Sequence, residues 1–132
     1  MNYLLDTHTF LWTVSNSEKL SKKAIEVIKN PKNEILVSSI SLWEISIKIR
    51  INKINLDTLK PEDLLTIAEK MNFQTINLSA EEAISYHELV ESSHNDPFDR
   101  MLIWQSISRK YTLISKDKEF PKFIPYGLKL LW

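Results

Sequence analysis

SISLWEISIKIRINKI, residues 39–54, is the stretch whose reading decides the fold. Ile45, Ile47, Ile49 and Ile51 alternate with polar residues, which is the period of a strand. Ile40, Trp43, Ile47, Ile51 and Ile54 also fall on one face of a helix. A helix here is apolar around most of its circumference, so it is either largely buried or serves a partner surface. The residues of this segment leave both readings open.

The flanking segments are clearer. Upstream, Ile35-Leu36-Val37 reads as a buried strand, and residues 2–5 (Asn-Tyr-Leu-Leu) as another, ending at Asp6. Between them, residues 7–15 carry Phe10, Leu11 and Val14 at helical spacing. A second helix starts after Ser21 as N-cap and stops at Asn30-Pro31. Downstream, Pro61-Glu62-Asp63 predicts a helix start, with Pro in the first turn, running to about Met71. Phe73–Ile76 reads as a third strand. Ser79 and Glu82 form a capping-box pattern. Asp96-Pro97 opens a helix that reaches about Arg109, Tyr111–Ile114 is a fourth strand, and Lys129–Trp132 a short fifth. Strands alternating with helices predict an α/β fold, a three-layer α/β/α sandwich around a central, mainly parallel sheet. No repeat, linker or low-complexity segment interrupts the chain, so residues 1–132 read as a single domain.

Composition narrows the function. Seventeen basic residues balance 17 acidic ones, which argues against bulk electrostatic binding of nucleic acid but allows a local basic patch. There is no Cys, so thiolate chemistry and disulfides are absent. The single Gly, Gly127, excludes glycine-rich phosphate loops. No stretch approaches a membrane span, and no basic region precedes a long apolar run as in a secretory signal, so a cytoplasmic protein is expected.

Four acids stand at the edges of apolar segments: Asp6, Glu44, Asp99 and Asp117. A carboxylate beside a core element costs desolvation energy and tends to protonate. Four make sense if the fold gathers them around a divalent cation, and oxygen ligands select Mg²⁺ or Mn²⁺ over Zn²⁺. Taken singly, each acid could equally be a helix cap or a surface residue. In α/β sheets, sites form at the carboxyl ends of strands, where Asp6 and Asp117 fall.

The pattern around these acids resembles the PIN-domain nucleases, specifically the VapC-type toxins of type II toxin–antitoxin pairs. Leu4-Leu5-Asp6-Thr7-His8 is similar to the family's opening motif, and Ser38–Ile45 to the second, which in the family lies on a helix. His94–Ile103 resembles the third and Leu113–Asp117 the fourth, all in family order. The resemblance implies a helix for the ambiguous segment. It implies a Mg²⁺- or Mn²⁺-dependent endoribonuclease in which Asp6, Glu44 and Asp99 hold metal, with Asp117 as the more variable fourth acid. Thr7 and Ser115 would orient the carboxylates or a water. Water activated by the ion would attack the phosphodiester, leaving 5′-phosphate and 3′-hydroxyl ends. A cognate antitoxin and a homodimer are implied as partners of the RNase. Trp104 departs from the small residue common at its place in the third motif.

Alternatives are a stand-alone PIN nuclease in RNA processing and a PIN-like module kept only for protein binding; intact acids argue against the latter. An aspartyl-nucleophile phosphohydrolase would want an acid at position 8, which is His. A metal-free pair of histidines would have to come from His8, His87 and His94, whose contexts do not match. His94 is expected to shape the loop before the third motif, His8 to lie near the site and His87 on a helix surface. Asp96 is expected to cap the helix after it, with a second-metal or water-mediated role as the alternative. Arg100 is expected to steady a phosphate or pair with an acid. Lys48, Arg50 and Lys53, with Lys116 and Lys118, form basic edges suited to an RNA backbone. Trp12, Trp43 and the apolar helices exceed what one small sheet needs. Part of that surplus is assigned to a dimer face and an antitoxin groove.

Overall fold

The computed structural model describes all residues 1–132. Five parallel strands, β1 (Asn2–Leu5), β2 (Glu34–Ser38), β3 (Gln74–Ile76), β4 (Thr112–Ile114) and β5 (Lys129–Leu131), form one sheet in the order β3-β2-β1-β4-β5. The helices are α1 (Thr7–Ser15), α2 (Lys22–Lys29), α3 (Ser39–Arg50), α4 (Asp63–Lys70), α5 (Ala80–Ser85) and α6 (Pro97–Arg109). The chain builds outward from β1 through β2 to β3, then returns to lay β4 on the other side of β1. The reversal leaves a crevice at the carboxyl ends of β1 and β4, where α/β folds place their ligands.

Side-chain alternation sorts the core into two layers. Tyr3, Leu5, Ile35, Val37 and Ile114 join one buried cluster with Phe10, Ala24, Leu64 and Ala68 from α1, α2 and α4. Leu4, Leu36 and Leu113 point into the other, with Leu102 and Ile103 of α6 and the rings of Phe120 and Phe123. One residue of slip in any central strand would exchange these faces, so the register is firmly specified. Each fully buried Leu or Phe contributes about 1.5–3 kcal/mol. No helix is long and apolar enough to cross a membrane.

The ambiguous segment is helical over Ser39–Arg50, four residues short of Ile54. Ser38 Oγ caps it at the Ile40 N–H, and Asn52, at φ 61°, turns the chain away at its end. Asn tolerates that left-handed backbone better than most residues. Ile40 reaches the second core cluster while Ile45 reaches the first. The helix thus straddles the sheet's carboxyl edge, and its apolar circumference is explained by two cores rather than one. The expected N-caps Ser21, Ser79 and Asp96 all accept from the backbone of their helices, and Ser79 with Glu82 completes the capping box. The helix after Pro61 begins at Asp63 and ends at Lys70. The single glycine occupies a turn at φ 105°, where a side chain would be strained.

Candidate active site

Asp6 ends β1 and caps α1. Its Oδ1 accepts from the Thr9 N–H at 2.9 Å, and its Oδ2 from Ser115 Oγ at 2.6 Å. A capping acid must follow the strand without a spacer here, so the carboxylate is fixed by the same turn that reverses the chain. Burial pushes the Asp6 carboxyl up, against the lowering effect of Ser115 and Thr9.

Glu44 lies in the second turn of α3 and is 2% exposed. Thr7 Oγ1 donates to its Oε1 at 2.6 Å, and Lys48 Nζ, one turn on, meets its Oε2 at 2.6 Å. Thr7 also contacts Ser41 Oγ at 3.1 Å. This contact ties α1 to α3 and fixes the angle from which Glu44 enters. Partnership with Glu44 raises the Lys48 ammonium's pKa.

Asp99 stands in the first turn of α6. Asp96 Oδ1 accepts from its N–H at 3.0 Å, and its own Oδ2 lies 2.9 Å from His94 Nε2. Burial, assisted by the negative charge of Asp96 and Glu44, pushes the Asp99 carboxyl up to about 6 despite the His94 contact. Asp117 lies beyond β4, its N–H donating to Ser115 Oγ at 3.1 Å. Ser115 therefore holds Asp6 with its proton and the Asp117 backbone with its lone pair.

Asp6, Glu44, Asp96, Asp99 and Asp117 line one cleft of about 430 Å³, together with His8, Trp12, Lys48 and Lys116. Two of these acids, Asp99 and Asp117, also have ligand atoms within 4.8 Å of each other and of His94. The donor set is carboxylate oxygen with one imidazole, which fits a hard divalent cation. The raised pKa of Asp99 comes first from burial and then from the charges of Asp96 and Glu44, and a cation in the cleft would relieve both. The more apolar groove beside Leu20, Ile25 and Phe73 is lined by no carboxylate or imidazole.

The expectation for Arg100 is corrected. It pairs with no acid, and it does not line the cleft. Its guanidinium is buried, donating to the Tyr86 hydroxyl and to the carbonyls of Glu91, His94 (2.9 Å) and Leu89 (2.7 Å). It also lies over the rings of Tyr86 and Phe123, at 5.4 and 5.8 Å. Its planar fork of donors clamps the loop that delivers His94. Lys48 likewise serves Glu44 first, while Arg50 and Lys53 are exposed. Trp104 is accommodated by a hydrogen bond from its indole to Ser85 Oγ at 3.1 Å.

Sequence reasoning placed His94 in the loop but missed its contact with Asp99. The five-residue spacing across a Pro-containing cap was the available signal. Trp12 was assigned to packing or interfaces, yet it is the one apolar side chain lining the cleft.

An α/β/α sandwich with an acidic cleft at the switch point of its parallel sheet is the class of protein that these features define. The PIN domain family matches residues 3–123, so the chain belongs to that family. No curated protein matches. Among solved structures, the fold is similar to a chain of the VapBC2 complex of Rickettsia felis bound to promoter DNA, at 21% identity and a TM-score of 0.74, covering 99% of this chain and 98% of that one. It is similar to a chain of DNA-bound VapBC from Salmonella typhimurium, at 20% identity and a TM-score of 0.70, covering 99% and 97%. A chain of the VapBC-5 toxin–antitoxin complex from Mycobacterium tuberculosis follows at 15% identity and a TM-score of 0.63, covering 98% and 97%.

Proposed function

We propose that this PIN protein is a Mg²⁺- or Mn²⁺-dependent endoribonuclease of the VapC type. The single observation that carries the reading is the convergence of four acids, from four separate segments, on one cleft at the sheet's switch point. Asp6, Glu44, Asp99 and Asp117 would hold the ion, with His94 at hand as a nitrogen donor. When bound, the ion supplies a lowered pKa for an attacking water and charge neutralisation on the phosphoryl oxygens.

The protein's own groups do the rest. Ser115 and Thr9 fix both oxygens of Asp6, and Thr7 fixes one oxygen of Glu44, so neither acid can rotate away. His94 orients Asp99. Lys48 and Lys116 put positive charge on the walls of an otherwise negative cleft, where a phosphate must approach. Attack by water in line with the ribose 3′-oxygen leaves a 5′-phosphate and a 3′-hydroxyl.

The likeness to VapBC chains supports a cognate antitoxin and, with it, a cytoplasmic role in which the free toxin cuts RNA. A homodimer fits the exposed apolar side chains, among them Trp43, 59% exposed and edge-on to Phe98. The test is cleavage of RNA by the purified chain with Mg²⁺ or Mn²⁺, its arrest by EDTA, and its loss in Asp6→Asn. Cleavage that survives excess chelator, or products ending in cyclic phosphate, would refute the reading.

A further inference from the structure

Trp12 sits on α1 among charged neighbours and is the only apolar side chain lining the acidic cleft. Two ammonium groups converge on its ring, Lys19 Nζ at 5.8 Å and Lys116 Nζ at 5.9 Å from the centroid. Neither lysine has a carboxylate within ion-pair distance, although the cleft beside them is lined with acids. The His8 ring lies tilted at 5.9 Å, and Trp132 supports the indole edge-on at 6.0 Å. Trp12 is half-buried, so part of the indole faces solvent.

The indole also packs against the first core cluster, but packing does not account for two ammonium groups gathered on its ring. Two cations gathered on one ring repel each other and attract an anion. A nucleotide supplies both partners, a base whose face stacks on the indole and phosphates for the ammonium groups. A basic peptide would add a third cation to this group, so the charge pattern favours nucleic acid over an arginine- or lysine-bearing protein segment. Six residues of helix separate Trp12 from Asp6, about 9 Å of rise, a short step along a strand from the acids.

We propose that Trp12 is a stacking platform for an unpaired nucleobase beside the scissile phosphate, with Lys116 and Lys19 holding the adjoining phosphates. This deepens the ribonuclease reading and rests on it. A base cannot reach the indole from within a duplex, so the nucleotide on Trp12 must be unpaired.

The experiment uses a short unstructured RNA that the wild type cuts, and a set of the same RNA with one abasic nucleotide at successive positions. Trp12→Leu is expected to raise KM about 5- to 100-fold, the usual cost of losing one base–aromatic stack, with kcat within about threefold. Trp12→Phe should recover most of that loss. One abasic position should raise KM for the wild type by a similar factor and add nothing to Trp12→Leu. Unchanged KM in Trp12→Leu, an equal loss on intact and abasic RNA, or a fall in kcat alone would overturn the proposal. Melting curves identify a variant that fails to fold. The abasic series on the wild type then decides alone, and a flat series overturns the platform. Anisotropy of a labelled strand separates the two readings. Binding that depends on Trp12 without cleavage upholds the platform and ends the ribonuclease reading. Cleavage indifferent to Trp12 and to abasic sites does the reverse, leaving the indole to packing or to protein contact.

Discussion

Replacing Asp99 with Asn should make the metal-free protein more stable while abolishing its activity. The Asp99 carboxyl is pushed up to about 6 by burial and by its acidic neighbours, from 3.8 for an ordinary Asp. A carboxyl raised on folding binds more protons in the native than in the unfolded state between those two values. Wild-type stability therefore rises as pH falls through that window, and is depressed by the full amount above about pH 6. Two units correspond to about 3 kcal/mol, and nearer about 2 kcal/mol once solvent screening at a partly exposed group is allowed for. Asn keeps the shape, its Oδ1 can accept from His94 Nε2, and its backbone N–H still reaches Asp96. For a domain of this size, that gain moves Tm up by about 8 °C at pH 7.5 in EDTA. At pH 4 the gap should shrink to a few tenths of a kcal/mol, about the residue of the linkage curve. Added Mg²⁺ should stabilise the wild type and leave the variant unmoved, closing or reversing the difference. Urea and thermal melts at both pH values, with and without the ion, read all of this. A variant less stable than the wild type in EDTA at pH 7.5, or an identical gap at pH 4, would refute an electrostatically strained site.

Arg100→Met should destabilise the fold by about 3 kcal/mol or more, because three loop carbonyls and the Tyr86 hydroxyl lose their donor in a buried place; urea melts measure it, and amide exchange should increase at Leu89–His94. Glu82→Gln should cost about 1–2 kcal/mol. Burial opposes ionisation there, but Arg109, the Ser79 N–H and Gln105 outweigh it and bring the Glu82 carboxyl to about 2. That contribution is complete above pH 4.5 and is lost as pH falls toward 2, so wild type and variant should converge in acid melts. Ser115→Ala removes a donor from Asp6 Oδ2 and an acceptor from the Asp117 N–H. RNA cleavage should fall about 10- to 100-fold. The acid limb of the pH–rate profile should move upward, since a carboxylate that loses a donor is protonated more easily.

The strands were legible because buried β1, β2 and β4 are short apolar runs, and the caps because Ser21, Ser79 and Asp96 stand where a helix needs an acceptor. Residues 39–54 were not legible by period. An Ile at every second position satisfies a strand, and a helix that faces two cores at once shows no clean polar side against which to choose. Only the motif around Glu44 tipped it. Arg100 was misread because a cation next to a candidate metal ligand suggests charge pairing. Its direction is set by the helix instead. One residue round the helix from Asp99 is about 100°, enough to turn Arg100 from the cleft into the loop behind it.

That rotation shows how the site is supported. Adjacent positions on α6 face opposite tasks, Asp99 the cleft and Arg100 the loop whose carbonyls it binds. The loop ends in His94, which returns to touch Asp99. The acid is thus held from both ends of a closed circuit of backbone and side chain. On the opposite wall, the Thr7 hydroxyl reaches Glu44 while the Thr9 N–H holds Asp6, so the first turn of α1 secures acids from two different elements. On both walls, the residue that follows a cleft acid in the chain braces the site through another segment. A substitution at Arg100 or Thr7 is therefore expected to disturb the acids nearly as much as one at an acid itself, although Arg100 does not line the cleft.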